Sequence, residues 1–276
     1  MYMSTRLHAL GFPAEWTPEL LAHVETMAAS RSRLVGAARG NYRVWRSQQG
    51  AELWFHYPQR SIKERPRAAT PGEKAPVQSD ARPAAVTPFH RGLSSCKIKI
   101  GRYLAIDRVN PLEGSCMAWL PPPATGGQDQ IIVLELAPYG LQPLRTPPYT
   151  TTAQIVCFAH AVWAFKDPLT YSRETPSNRR IQSGTFSPIT EADVPEVKLS
   201  YRQSPITLGL ATGIVRRAIR HVNPETGEPY YWMLLETKRG SFDVVANPLQ
   251  VQGDISEGNI AQVCGSFLAR LSGTSA

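Results

Sequence analysis

The strongest constraint on this chain is a spacing written twice. "IDRVNPLEGSCMAWL" runs from Ile106 to Leu120, and "IRHVNPETGEPYYWML" runs from Ile219 to Leu234. Val109, Asn110, Pro111, Gly114 and Trp119 match Val222, Asn223, Pro224, Gly227 and Trp232 without a gap, and Ile106 matches Ile219. Asn-Pro starts a turn, because proline presets φ and the asparagine side chain bonds nearby backbone. Gly114 and Gly227 are expected to adopt φ > 0 and close a hairpin. The tryptophan then falls on the returning strand, where it can anchor a core. Gly101 and Gly213 correspond if one residue is inserted, and a glycine inside a strand marks a bulge or bend. These tasks concern folding, so the repeat predicts architecture and says little about chemistry.

The flanks extend the match. "CKIKIGRYLAIDRVN", "GSCMAWLPPP", "QIIVLELAP" and "TTTAQIVCFAHAVWAF" read as four strands. "ITLGLATGIVRRAIRHVN", "EPYYWMLLETK", "SFDVVAN" and "NIAQVCGSFLARL" read as four more, and "AQIVCF" from Ala153 resembles "AQVCGSF" from Ala261. The fold class is mainly β, with two repeated small antiparallel β-barrel-like units and a short N-terminal helix and hairpin. A long bent first strand, a hairpin, a third strand and a late strand resemble the OB-fold or a related small β-barrel. That resemblance covers about 70 residues of the second block, with the first as a weaker copy. It implies closed sheets without exposed edges.

Residues 1–58 are expected to form a helix and a hairpin, possible extra strands of the first barrel. In "TPELLAHVETMAASRSRLV", Thr17 caps and Pro18 takes the first helical position. Leu20, Leu21, Val24, Met27, Ala28, Leu34 and Val35 form one apolar stripe, suited to packing on a sheet or a partner. "NYRVWRSQQGAELWFHYP" reads as two apolar runs around a Gly-containing turn. Residues 59–92 are rich in Pro, Ala, Arg and Lys and read as a flexible basic linker, with seven cations against three acids. The first barrel unit is placed at 93–170, a connector at 171–199 and the second unit at 200–276.

Charge is the other constraint. The formal net charge is +8, which favours polyanionic partners or simply keeps the chain soluble. Cys96, Cys116, Cys157 and Cys264 show no metal-ligand spacing, and reduced thiols and a cytoplasmic location are expected. No run of about twenty apolar residues is present, so no membrane partner is assigned.

The search for chemistry finds little. Six histidines form no His-x-x-x-His pair, and His160, inside an apolar strand, reads as a core residue. No Walker loop or nucleophile elbow occurs. Glu135 and Asp243 fall on strands without a recognisable partner. No catalytic residue, metal or cofactor is assigned. Single-strand binders combine basic grooves with stacking aromatics. Arg216, Arg217 and Arg220 lie along one strand beside the hairpin carrying Tyr230, Tyr231 and Trp232. Alternation places Tyr230 and Trp232 on one face and Tyr231 on the other. The first block offers Lys97, Lys99, Arg102, Tyr103 and Arg108. The expected nucleic-acid contacts are Arg216, Arg217, Arg220 and Tyr231, with Tyr103, Arg102 and Arg108. The expected ligand is a single strand read with little base specificity. The alternative is a protein–protein adaptor or structural subunit whose aromatics anchor an interface.

Overall fold

A computed structural model describes residues 6–14, 17–59, 82–104, 110–124, 126–177, 180–182, 184–188 and 207–274. The protein is mainly β, with two sheets and a short N-terminal helix. That helix, α1 (Pro18–Ser30), is capped as its sequence predicts: Thr17 Oγ1 accepts from the Leu20 amide at 3.2 Å. It buries Leu20, Val24, Met27 and Ala28. Spacing alone predicts that Leu34 and Val35 continue its stripe, but the helix ends before them. They belong to β1 (Arg33–Ala37), where Leu34 is exposed.

The smaller sheet runs β1, β2 (Gly40–Arg46), β3 (Ala51–Pro58) and β4 (Ala85–His90), all antiparallel. The hairpin expected around Gly50 is β2–β3. Leu53, Trp54 and Phe55 are inaccessible at consecutive positions, so β3 is covered on both faces. β4 lies within the stretch that composition reads as linker; Val86, Phe89 and His90 give it enough to bury. Residues 60–81 of that stretch lie outside the described residues.

The larger sheet has ten strands. Its members are β5 (Cys96–Leu104), β6 (Ser115–Leu120), β7 (Gln130–Leu136), β8 (Tyr149–Phe165), β9 (Phe186–Pro188), β10 (Leu208–Val222), β11 (Pro229–Thr237), β12 (Gly240–Ala246), β13 (Val251–Gln252) and β14 (Ile260–Leu271). A second helix, α2 (Pro168–Glu174), and β9 interrupt the expected connector. The long strands β8 and β14 pair antiparallel from Ala153↔Leu271 to Phe165↔Ile260. The other edge of β8 takes β5, then β12, then β13, and the other edge of β14 takes β10, then β7. The sheet therefore closes on itself along two circuits. One is β5–β6–β7–β14–β8, and the other is β10–β11–β12–β8–β14. Each circuit borrows one strand of the ribbon from the other block.

Alternation along these strands sends one set of side chains inside. Ile98, Ile100, Leu134, Ile155, Met233, Phe242 and Phe267 share a single core. Full burial of such a side chain contributes roughly 1.5–3 kcal/mol. The outward set on β8, β11, β12 and β14 includes Val156, Phe158, Tyr230, Trp232, Val245 and Leu268. This set packs in one cluster with α1 and the small sheet.

The two asparagines of the repeated spacing do the same double work. Asn223 Oδ1 accepts from the Glu225 amide at 2.9 Å, and Asn110 Oδ1 accepts from the Leu112 amide at 3.3 Å. Their amide nitrogens face the N-terminal region: Asn223 Nδ2 donates to Leu10 O at 2.8 Å, and Asn110 Nδ2 meets His56 Nδ1 at 3.0 Å. The glycines diverge. Gly227 takes φ +75°, whereas Gly114 is not in the positive-φ region and instead makes room for the Tyr139 ring. Register diverges too: Trp119 lies opposite Lys99, and Trp232 opposite Ile219. The bulge of β5 falls at Gly101 as expected, but that of β10 falls at Arg216 rather than Gly213.

A buried carboxylate joins the sheets. Glu52, inaccessible on β3, accepts from Arg46 Nε at 3.0 Å, Trp54 Nε1 at 2.8 Å and Arg270 Nη2 at 2.5 Å, with Arg91 Nε at 3.3 Å. Arg270 comes from the ribbon, and its guanidinium lies 4.1 Å from the Phe89 ring centre. Glu52→Ala leaves these guanidiniums without their counter-charge, and removing one partner of a buried pair costs about 3–5 kcal/mol. A fall of that size in urea-denaturation stability is expected; a change within about 0.5 kcal/mol, the usual effect of a surface substitution, contradicts this role.

Candidate nucleic-acid interface

The second hairpin does not gather its expected contact set on one face. Arg216, displaced by the bulge, donates from Nε to Glu236 at 2.6 Å. Arg217 stands 5.9 Å from the Trp232 ring centre. Arg220 is exposed and lies opposite Tyr231, which is half-buried. Tyr231 shares alternation with Met233 and Leu235 of the inner core, whereas Tyr230 and Trp232 share the outer cluster. Arg217 and Arg220 are thus associated with opposite faces of the strand pair.

The outer face of this hairpin is covered. His90 stacks on Trp232 with ring centres 6.2 Å apart and planes at 19°. Asp243, inaccessible on β12, accepts from Trp232 Nε1 at 3.0 Å, Gln154 Nε2 at 2.8 Å and Ser94 Oγ at 2.7 Å, and also from the amides of Leu93 and Ser94. Gly92 lets the loop pass there, since a side chain at 92 would overlap the carboxylate. Both features escape sequence reading because their partners lie far along the chain. The signal available was an acid on an apolar strand.

The first hairpin presents a different surface. On β5, Cys96, Ile98 and Ile100 face the core, and Lys97 and Lys99 are exposed. Register sets Thr150, Lys99, Trp119 and Ile131 side by side across β8, β5, β6 and β7. The Trp119 ring lies on Gly101, where any side chain would collide with it. Lys99 Nζ is 6.0 Å from the ring centre, and Ile131 beside it is 47% exposed. Arg102, just past the bulge, is exposed. No salt bridge to Lys97, Lys99 or Arg102 occurs among the described residues. Tyr103 is set apart from them: its hydroxyl meets that of Tyr149 at 2.7 Å and accepts from the Arg145 amide at 3.3 Å. Burial raises the Tyr103 phenol above its ordinary range. Arg108 lies outside the described residues.

Among the described residues, no group of three His, Cys, Asp or Glu could hold a metal ion. No helix there is long and apolar enough to cross a membrane. His160, the residue skipped at the ribbon's bulge, meets Ser266 Oγ at 3.1 Å, and burial pushes its imidazole down to about 4. Glu135, which had no recognisable partner in the sequence, pairs with Arg6 at 2.6 Å. Comparison with protein-family models, with curated proteins and with solved structures gives no match.

Burial pushes the imidazoles of both His56 and His90 down to about 3. Both are neutral in the folded protein at neutral pH, while an unfolded chain protonates them near about 6.5. Stability is complete above that value and falls as pH drops toward about 3, by up to roughly 1.4 kcal/mol per pH unit for each histidine. His90→Phe should therefore lose less stability than the parent protein between about pH 6 and pH 4.5 in urea titrations. Equal losses in both proteins contradict the assignment.

Proposed function

We propose that the chain binds single-stranded nucleic acid with little base specificity, on the outer face of the first hairpin. The observation that carries this reading is Trp119, half-buried on Gly101 with Lys99 opposite it and Lys97 and Arg102 exposed on the same strand, cations without an acidic partner among the described residues. Unpaired cations release counterions from phosphates, and an accessible indole offers a base a stacking surface that tolerates any sequence. The net charge of +8 favours approach of a polyanion. On the second hairpin, Arg216 is engaged by Glu236 and Trp232 is covered by His90, so Arg220 and Tyr231 form a secondary contact at most.

The scaffold of this site is read as a duplicated unit. β5, β6, β7 and β8 pair in the same order and sense as β10, β11, β12 and β14, and the parallel contacts β7–β14 and β12–β8 correspond. Two barrel-like units that exchange a strand account for that pattern. Four free, buried cysteines suit the reducing cytoplasm. A protein partner is the second reading, favoured by Ile131 exposed beside Trp119.

Titration of a labelled oligonucleotide across a salt series tests the first reading. Three phosphate contacts on a single strand predict a slope of about −2 in log K against log salt. Lys97→Glu with Lys99→Glu should flatten that slope, and Trp119→Ala should cost roughly 1–3 kcal/mol of binding. Absence of binding at low salt, or binding that ignores salt, sinks the proposal; a stoichiometric protein partner that survives nuclease treatment favours the second reading.

A further inference from the structure

A cleft of about 400 Å³ opens near the junction of β8, β10, β13 and β14, at the Phe165 end of β8, whereas β5 pairs at its Tyr149 end. Its floor is the outward face of the sheet. Trp163 lies opposite Gln262 in the β8–β14 ladder, and Gln252 of β13 pairs with Trp163 from the other edge. Leu210 completes the floor from β10. The wall is the segment that leaves α2, carrying Glu174 and Thr175.

That wall is held firmly. Tyr171 of α2 packs edge-on against Phe165 with ring centres 5.2 Å apart, and its hydroxyl donates to Ile181 O at 2.7 Å. Arg180 Nη2 donates to Thr175 O at 2.7 Å. Thr175 is 4% exposed, yet its Oγ1 has no hydrogen-bond partner. Thr212, opposite Gln262 in the β10–β14 ladder, is inaccessible, and its Oγ1 has none either. An orphaned buried hydroxyl costs about 1–3 kcal/mol, so a ligand that draws the Thr175 hydroxyl round into the cleft and satisfies it is favoured.

The lining restricts that ligand. Glu174 is the only titratable group among the residues that line the cleft, and neither Lys, Arg nor His is present. The nearest cations are already engaged, Arg173 with the Glu174 carboxylate at 3.3 Å and Arg180 with the Thr175 carbonyl at 2.7 Å, so a phosphate meets a carboxylate in the lining and no uncommitted counter-charge. A neutral planar heterocycle fits better, because it can lie against Trp163 while its edge meets the Gln252 carboxamide, a hydroxyl and the Glu174 carboxylate. A carboxylate only accepts, so it selects rings that carry an amino group, and carboxamides pair with adenine edges as carboxylates do with cytosine N4. We propose that this cleft binds an amino-bearing nucleobase. Only the identity of the ligand as part of a nucleic acid rests on the function proposed above; the cleft's chemistry stands independently of it.

The test is calorimetric titration of the full chain with free adenosine, cytidine, guanosine and uridine, at low and high salt. Saturable binding of at least one amino-bearing nucleoside is expected, unaffected by salt because no phosphate is involved. Uridine should bind about tenfold more weakly, as should the preferred nucleoside to Thr175→Val, which removes one hydrogen bond from a conserved shape. Trp163→Leu should abolish the signal, with thermal melting of each variant recorded to confirm folding. The Lys97→Glu, Lys99→Glu protein should bind nucleoside as the parent does. Failure of every nucleoside to saturate overturns the cleft assignment, as does parental affinity in folded Thr175→Val. Equal affinity for uridine overturns the amino-group selection. Oligonucleotide binding without nucleoside binding removes this site alone, whereas nucleoside binding without oligonucleotide binding removes the nucleic-acid reading and leaves a nucleoside site.

Discussion

The pairing of β8 with β14 is the interaction on which the larger sheet depends. Both strands are long enough to serve two circuits, and each spends one edge on the other and its second edge on strands from both blocks. Neither circuit can close without both members of the ribbon. The single bulge, at Cys264 and Gly265 opposite Ala159 and Ala161, leaves His160 as the extra residue. A bulge adds local bend and twist, which a strand needs if its two halves are to enter different curved circuits. The ribbon also divides the molecule's apolar surface. Its inward face is in the shared core, and its outward face meets the N-terminal elements around Phe158 and Leu268 but forms the open cleft around Trp163.

Buried polar groups then fix how the smaller sheet sits on the larger one. Glu52 holds Arg270 of the ribbon, and Asp243 holds the loop that follows β4. Asn110 and Asn223 tie both turns back to the N-terminal region. Apolar burial drives the two sheets together without choosing an orientation, whereas these groups are satisfied in one arrangement only. The consequence for function is an asymmetry between the hairpins. The small sheet and its trailing loop cover Trp232, and nothing comparable among the described residues covers Trp119.

That asymmetry explains why two equally basic hairpins differ as surfaces. Arg216 is engaged by Glu236 across the strand pair, and Arg217 leans over a covered indole. Lys97 and Lys99 stand on a face that threonines, Trp119 and Ile131 share without any acid in the cross-strand row. Charge count alone does not make a polyanion site; what matters is how many cations are left for a ligand once the protein's own carboxylates have been matched.

Local regularities were legible in the sequence. The alternation of Cys96 to Ile100, the cap at Thr17, the hairpin around Gly50 and the turn-forming use of Asn110 and Asn223 follow from short-range rules of backbone geometry and side-chain bonding, and each is visible within a few residues. The exposed basic character of Lys97, Lys99 and Arg102 was readable for the same reason. Tertiary structure alone decided the rest: that Leu34 leaves the helix for a strand, that Phe89 draws part of a Pro-rich stretch into a sheet, that Trp232 is covered while Trp119 is not, and that Glu52 and Asp243 find partners. These outcomes depend on which surfaces meet. Contacts between residues more than a hundred positions apart, such as Arg270 with Glu52, leave no periodic trace in the chain that makes them.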